Sequence, residues 1–212
     1  MSADIDGASK RWRTRRARVA LAGGIGLSVG AIAGAAAWND SIFNLGGTGA
    51  TSVHLDGSLD GDFFTTHEDS GQAAELEFAA TQMAPEETVY APFSIRLNAE
   101  TAHSAIVDAE SGLNIARSDG EYIPKMSFEV FQGLDSCDAS GAHGAEPIGT
   151  GSTLAQGNVP LTEDIDLVPG NGEEPGESVD LCFAVTAGSE VQPIEGEQAE
   201  ATWRIQAISE DS

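Results

Sequence analysis

Val89-Tyr90-Ala91-Pro92-Phe93-Ser94-Ile95-Arg96-Leu97 decides the fold. Val89, Ala91, Phe93, Ile95 and Leu97 are apolar at every second position, with Tyr90, Pro92, Ser94 and Arg96 between them. Side chains alternate across a strand, so this spacing predicts a strand with one face turned to a core. Ala74, Leu76, Phe78 and Ala80 repeat the pattern, as do Val179, Leu181, Phe183 and Val185, and Ala201, Trp203, Ile205 and Ala207. Weaker candidates are 51–56, 103–108 and 122–131. After Ala37 no stretch sustains a helical apolar stripe over three turns. Asp56-Gly57, Asp60-Gly61, Asp119-Gly120 and Asn171-Gly172 read as tight turns that use positive φ at glycine. Seven or more strands punctuated in this way predict an all-β, antiparallel sandwich over residues 51–212, because each sheet must cover its apolar face with another. Pro92 lacks a ladder donor, which predicts an edge or a bulge. Residues 132–176, rich in Gly, Ser, Pro and acids, read as surface loop with one strand near Ser152–Leu154.

Charge narrows the function. The 212-residue chain carries 10 Lys+Arg against 34 Asp+Glu, a formal charge of −24, and its 41% hydrophobic content is ample for a core. Residues 1–37 hold six basic groups and two acidic ones, a net of +4. Residues 38–212 hold four basic and 32 acidic groups, a net of −28. A body so negative repels a phosphate backbone, so nucleic acid is excluded as a partner, and anionic headgroups are repelled likewise.

The basic end has the order of an export signal. A basic n-region at 10–18 precedes an apolar h-region at 19–34, then Ala35-Ala36-Ala37 before Trp38-Asn39-Asp40. Small residues at Ala35 and Ala37 suit a signal peptidase, and cleavage is expected between Ala37 and Trp38. Residues 1–37 are thus read as a signal peptide and the mature protein as secreted, extracellular or at the cell surface. The alternative is a retained helix, since the 19 uncharged residues 19–37 would span roughly 28 Å of bilayer. That segment is then the only membrane contact. Arg15-Arg16 matches the twin-arginine pattern poorly because Arg18 stands where an apolar residue is wanted. Gly26-Leu27-Ser28-Val29-Gly30 fits G-x-S-x-G without a strand-turn-helix context and falls inside the apolar run.

Two cysteines, Cys137 and Cys182, are expected to pair in an oxidising compartment. The loop so closed holds about 46 residues, for which chain entropy predicts about 4 kcal/mol.

The leader and junction resemble a family. Ala35-Ala36-Ala37 followed by Trp38-Asn39-Asp40-Ser41 is similar to the processing junction of exported proteins with a SipW-type signal peptide, the group of TasA and camelysin, here in an actinobacterial form. Phe43-Asn44-Leu45-Gly46-Gly47, Leu55-Asp56-Gly57, Val89-Tyr90-Ala91-Pro92-Phe93 and Cys182-Phe183-Ala184-Val185-Thr186 extend the likeness. Trp38 stands where Phe is more usual, and Asn39 where Ser or Thr is. The resemblance implies a dedicated signal peptidase, a jelly-roll-like β-sandwich and, in some members, fibres of a biofilm matrix. The metallopeptidase label attached to camelysin-like proteins finds no support: His54, His67, His103 and His143 are scattered and H-E-x-x-H is absent.

Function is expected from contacts rather than catalysis. Residues 38–50 form an N-terminal tail in which Trp38, Ile42, Phe43 and Leu45 precede a hinge of Gly46, Gly47 and Gly49. Such a tail can lie on its own sheet edge or add as a strand to a second copy, and repetition of the latter builds a filament. A binding module for a host or surface ligand is the alternative. Asp56, Asp60 and Asp62, then Glu163, Asp164 and Asp166, then Glu173, Glu174 and Glu177 offer oxygen ligands of the type calcium takes. Their order is not that of an EF-hand, and solvated acidic turns are expected. No residue constellation assigns a catalytic group, a cofactor or a metal site.

Overall fold

The computed structural model describes residues 35–40, 53–66, 73–81, 83–191 and 198–210. The strands are β1 (Ala35–Asp40), β2 (Leu55–Ser58), β3 (Thr65–Thr66), β4 (Ala73–Thr81), β5 (Thr88–Leu97), β6 (Ala105–Val107), β7 (Leu113–Asp119), β8 (Met126–Gln132), β9 (Gly149–Gly151), β10 (Gly157–Asn158), β11 (Ile165–Leu167), β12 (Val179–Ala187), β13 (Gln198–Gln206) and β14 (Ile208–Ser209). Helix among the described residues amounts to one α-turn, α1 (Ala139–Ala142), and a 3-10 turn at Ile123–Lys125.

One sheet has the order β1-β4-β13-β7-β10, the other β3-β2-β5-β12-β8-β9, and a small third sheet is β11-β6-β14. Neighbours pair antiparallel throughout. Take β4, β5, β7, β8, β9, β10, β12 and β13 as eight strands in chain order. The first, eighth, third and sixth then form one sheet, and the second, seventh, fourth and fifth form the other. That order is two Greek keys wound into a jelly roll, so the chain is an all-β sandwich of the expected kind.

The core lies between the two larger sheets. Leu76, Phe78, Trp203, Ile205, Leu113 and Ile115 come from one, and Phe93, Ile95, Phe128, Val130, Phe183 and Val185 from the other, all buried. Trp203 joins them: its ring lies 4.5 Å from that of Phe128, edge to face, and 5.1 Å from that of Phe183.

Several local expectations are revised. Asp56-Gly57 is not a turn; both residues lie inside β2 and are buried. A Cβ on Gly57 would stand 2.9 Å from Cζ of Phe93, so glycine is there to let that ring cross the strand. Gly61, Gly120 and Gly172 do adopt positive φ, at 74°, 117° and 90°. Pro92 sits opposite Cys182 of β12, and its other side lies beyond the end of β2, where pairing stops at Ser58 and Ser94. Its missing donor therefore faces a locally open edge of an otherwise central strand. The strand expected at Ser152–Leu154 lies at Gly149–Gly151 instead. Residues 132–176 are also less peripheral than their composition suggests. Ile148, Leu154, Val159, Leu161, Ile165 and Leu167 are buried in the main core, and β9, β10 and β11 extend all three sheets. β7, whose only apolar alternation is Leu113 and Ile115, was not among the strands the sequence pattern picked out.

Candidate functional site

β1 straddles the expected processing junction. Its backbone pairs with β4 from Ala35 opposite Thr81 to Asp40 opposite Leu76. Ala35, Ala37 and Trp38, the residues assigned to cleavage, are therefore ladder positions on the outer edge of the first sheet. A cut after Ala37 divides this pairing: Ala35–Ala37 face Ala79–Thr81, and Trp38–Asp40 face Leu76–Phe78. Removal of the first half leaves three residues of β4 with an open row of peptide groups, which is the template for adding another strand. Residues 1–34 and the tail residues Ile42, Phe43 and Leu45 lie outside the described residues, as does His67.

The cysteines form the expected disulfide, with Cα atoms 5.3 Å apart across 45 positions. Cys182 and Ala184 point to the outer face of β12, opposite to Leu181, Phe183 and Val185. There, with Phe131 of β8, they form a second apolar cluster roofed by Leu134, Cys137, Ala142 and Ala145. The bridge thus pins residues 133–147 over a strand that is buried on both faces, which is why Leu181-Cys182-Phe183-Ala184-Val185 reads as a continuous apolar run. Asp138 caps α1: its Oδ1 accepts from the amides of Ser140 (2.8 Å) and Gly141 (3.0 Å) and from the Ser140 hydroxyl (2.7 Å). Those bonds, the Ser140 hydroxyl first, lower its pKa from 3.8 to about 2.

Several of the acidic groups are taken up by turns. Asp60 Oδ1 accepts from Phe63 N (2.8 Å), Asp62 N (3.0 Å) and Ser58 Oγ (3.0 Å), and these bonds lower its pKa. They hold Phe63 at the loop tip, 81% exposed. Asp108 is lowered chiefly by the Ser111 hydroxyl. Asp164 Oδ1 accepts from Ala109 N at 2.7 Å. Asp56 is different, being buried in β2 with Oδ2 3.5 Å from Nε of Arg96. A shallow cleft of about 230 Å³ beside the disulfide brings Asp60, Asp135 and Asp180 near one another, and there the Ser94 hydroxyl donates to Asp180 Oδ1 at 2.5 Å. Among the described residues no three His, Cys, Asp or Glu side chains are grouped so as to hold a metal ion. Nor is any helix among them long and apolar enough to cross a membrane.

A larger open cleft of about 490 Å³ lies where β2 begins and β5 ends, lined by His54, Asp56, Arg96, Asn98, Glu100 and Pro175. In the sequence, Asp56 and His54 are weighed as possible ligands and Arg96 only as a polar position in the alternation of β5. The pattern around Arg96 speaks only for a strand, Glu100 lies in a turn without a motif, and Pro175 arrives from 75 residues downstream of Glu100, so proximity alone reveals the group. No family model, characterised protein or solved structure matches the chain.

Proposed function

We propose that the chain is an exported, acidic surface or extracellular-matrix structural protein that works through protein contacts and self-assembly. The single observation behind this reading is the position of β1: the segment on the outer edge of β4 is also the segment with the expected peptidase junction. Export through a SipW-type peptidase, as the junction motif suggests, would trim that strand to Trp38–Asp40. The trimmed tail then returns to its own β4, or a neighbour's tail fills the vacated edge, and repetition of the second arrangement gives a fibre of a biofilm-like matrix. A disulfide is a feature of oxidising compartments and accords with an extracellular location. The −28 charge of the mature chain opposes association, so acid or salt should promote it.

The test has two parts. Mass spectrometry of the protein in culture medium should find Trp38 as the first residue; an intact leader in the membrane fraction would make the chain an anchored protein instead. Light scattering of that mature protein should then show salt-promoted polymers that vanish when residues 38–45 are deleted. Polymers unchanged by the deletion, or strongest at alkaline pH and low salt, refute tail-mediated assembly.

A further inference from the structure

The cleft at the start of β2 contains hydrogen-bonding groups whose direction the fold fixes. Asn98 is 7% exposed. Its Oδ1 accepts from Glu100 N (3.0 Å), Thr101 N (3.0 Å) and Thr101 Oγ1 (3.1 Å), and Thr101 Oγ1 in turn accepts from His54 N (3.0 Å). Three donors on one oxygen determine which branch of the amide is oxygen, because the NH2 group accepts nothing. The branch left for the cleft is Nδ2, which has no partner among the described residues. Asn98 Nδ2 reaches the solvent of the cleft, so a ligand oxygen placed there would replace water on a donor already fixed in direction.

Arg96 stands on the same wall. Its guanidinium lies 3.7 Å over the Phe64 ring, and its Nε lies 3.5 Å from Asp56 Oδ2 without a hydrogen bond. A cation held between an aromatic face and a buried carboxylate is preoriented, so little rotamer entropy is lost when it binds. Glu100 supplies an exposed carboxylate at the rim. The cleft therefore pairs fixed donors, Asn98 Nδ2 and the Arg96 fork, with a nearby acceptor.

The charge balance selects the ligand. An anion would meet Glu100, Asp56 and a body of −28, and a cation would meet Arg96. A neutral polyol carries hydroxyls that donate and accept at adjacent positions, which suits such a wall without net charge. The volume falls within the few hundred Å³ of small-molecule sites. We propose that this cleft binds one pyranose ring of a neutral saccharide, whose vicinal hydroxyls accept from Asn98 Nδ2 and Arg96 and donate to Glu100. Asp56 and Phe64 act as positioning residues for Arg96. The site is independent of β1 and of assembly.

The test is an NMR titration of the ¹⁵N-labelled full chain with methyl α-D-glucoside, methyl α-D-mannoside and methyl α-D-galactoside, with glycylglycine and inorganic phosphate as charged controls. At least one glycoside should shift the Asn98 side-chain amide pair and the Arg96 Nε resonance saturably, and the controls should not. Asn98→Asp keeps an oxygen for the three inward donors and replaces only Nδ2, so it should weaken binding about tenfold or more. Arg96→Lys, which keeps the charge and removes the fork, should weaken it comparably, and carries the test if Asn98→Asp fails to fold. Absence of saturable shifts with all three glycosides, an equal response to glycylglycine or phosphate, or full affinity in a folded variant overturns the proposal.

Discussion

Two irregular or terminal segments cover a sheet in this molecule, and they do so by opposite means. Residues 133–147 lie on the outer face of β12 and are held by a covalent bridge, a capped turn and an apolar cluster of Phe131, Cys182 and Ala184. β1 lies on the outer edge of β4 and is held through a main-chain ladder. The first arrangement removes apolar side chains from water and constrains the unfolded chain as well. The second satisfies peptide groups that water can satisfy nearly as well, so each of those hydrogen bonds contributes little net. One cover is clamped covalently and the other is hydrogen-bonded.

The sharpest way to break this contrast is to place a charge beneath each sheet's outer layer. Ala184→Asp should cost about 3–5 kcal/mol, because the roof leaves an unpaired carboxylate no water. Ala79→Asp, on the half-buried outer face of β4, should cost well under half as much by urea denaturation. Similar losses would mean that the two outer faces are equally dry. Next in size is the bridge: replacing Cys137 and Cys182 by Ser should lower stability by about 2–4 kcal/mol. Native-state hydrogen exchange should localise the loss to 133–147 and β12 and leave exchange at the β1 and β4 edge amides unchanged.

The smallest effect is in acid. Asp60, Asp108 and Asp138 have native pKa values below 3.8, so they bind fewer protons folded than unfolded. Their contribution is full above that value and is lost as pH falls, for Asp138 through about 2. Thermal melts should decline from near pH 4 downward, and Asp138→Asn, which keeps the accepting oxygen but cannot titrate, should decline less steeply. An equal slope in both proteins would show that the cap of the clamped segment is not sensed by global unfolding.

How much of this was legible beforehand differs by element. β4, β5, β12 and β13 are long enough for period two to show, and each appeared near its expected place. β7 offers two apolar positions and β9 is Gly-Thr-Gly, so neither rises above background; both exist because their neighbours' ladders need partners. Gly57 carried a turn signature but serves a ring from the adjacent strand, a contact that no local pattern encodes. Of the sites, the disulfide was legible because two cysteines leave one pairing. The Asn98 and Arg96 cleft was not, because it is formed by the amide branch that a turn leaves over and by a guanidinium that lies against Phe64.

By itself the order of residues determined the sandwich class, the negative body and the bridge, since alternation, charge and cysteine number are properties of the chain alone. The tertiary structure decided the jelly-roll order, the roof over β12, the edge on which β1 lies and the cleft beside Arg96. Each of those depends on which distant segments meet, and that is settled by the burial of whole faces rather than by any local stretch.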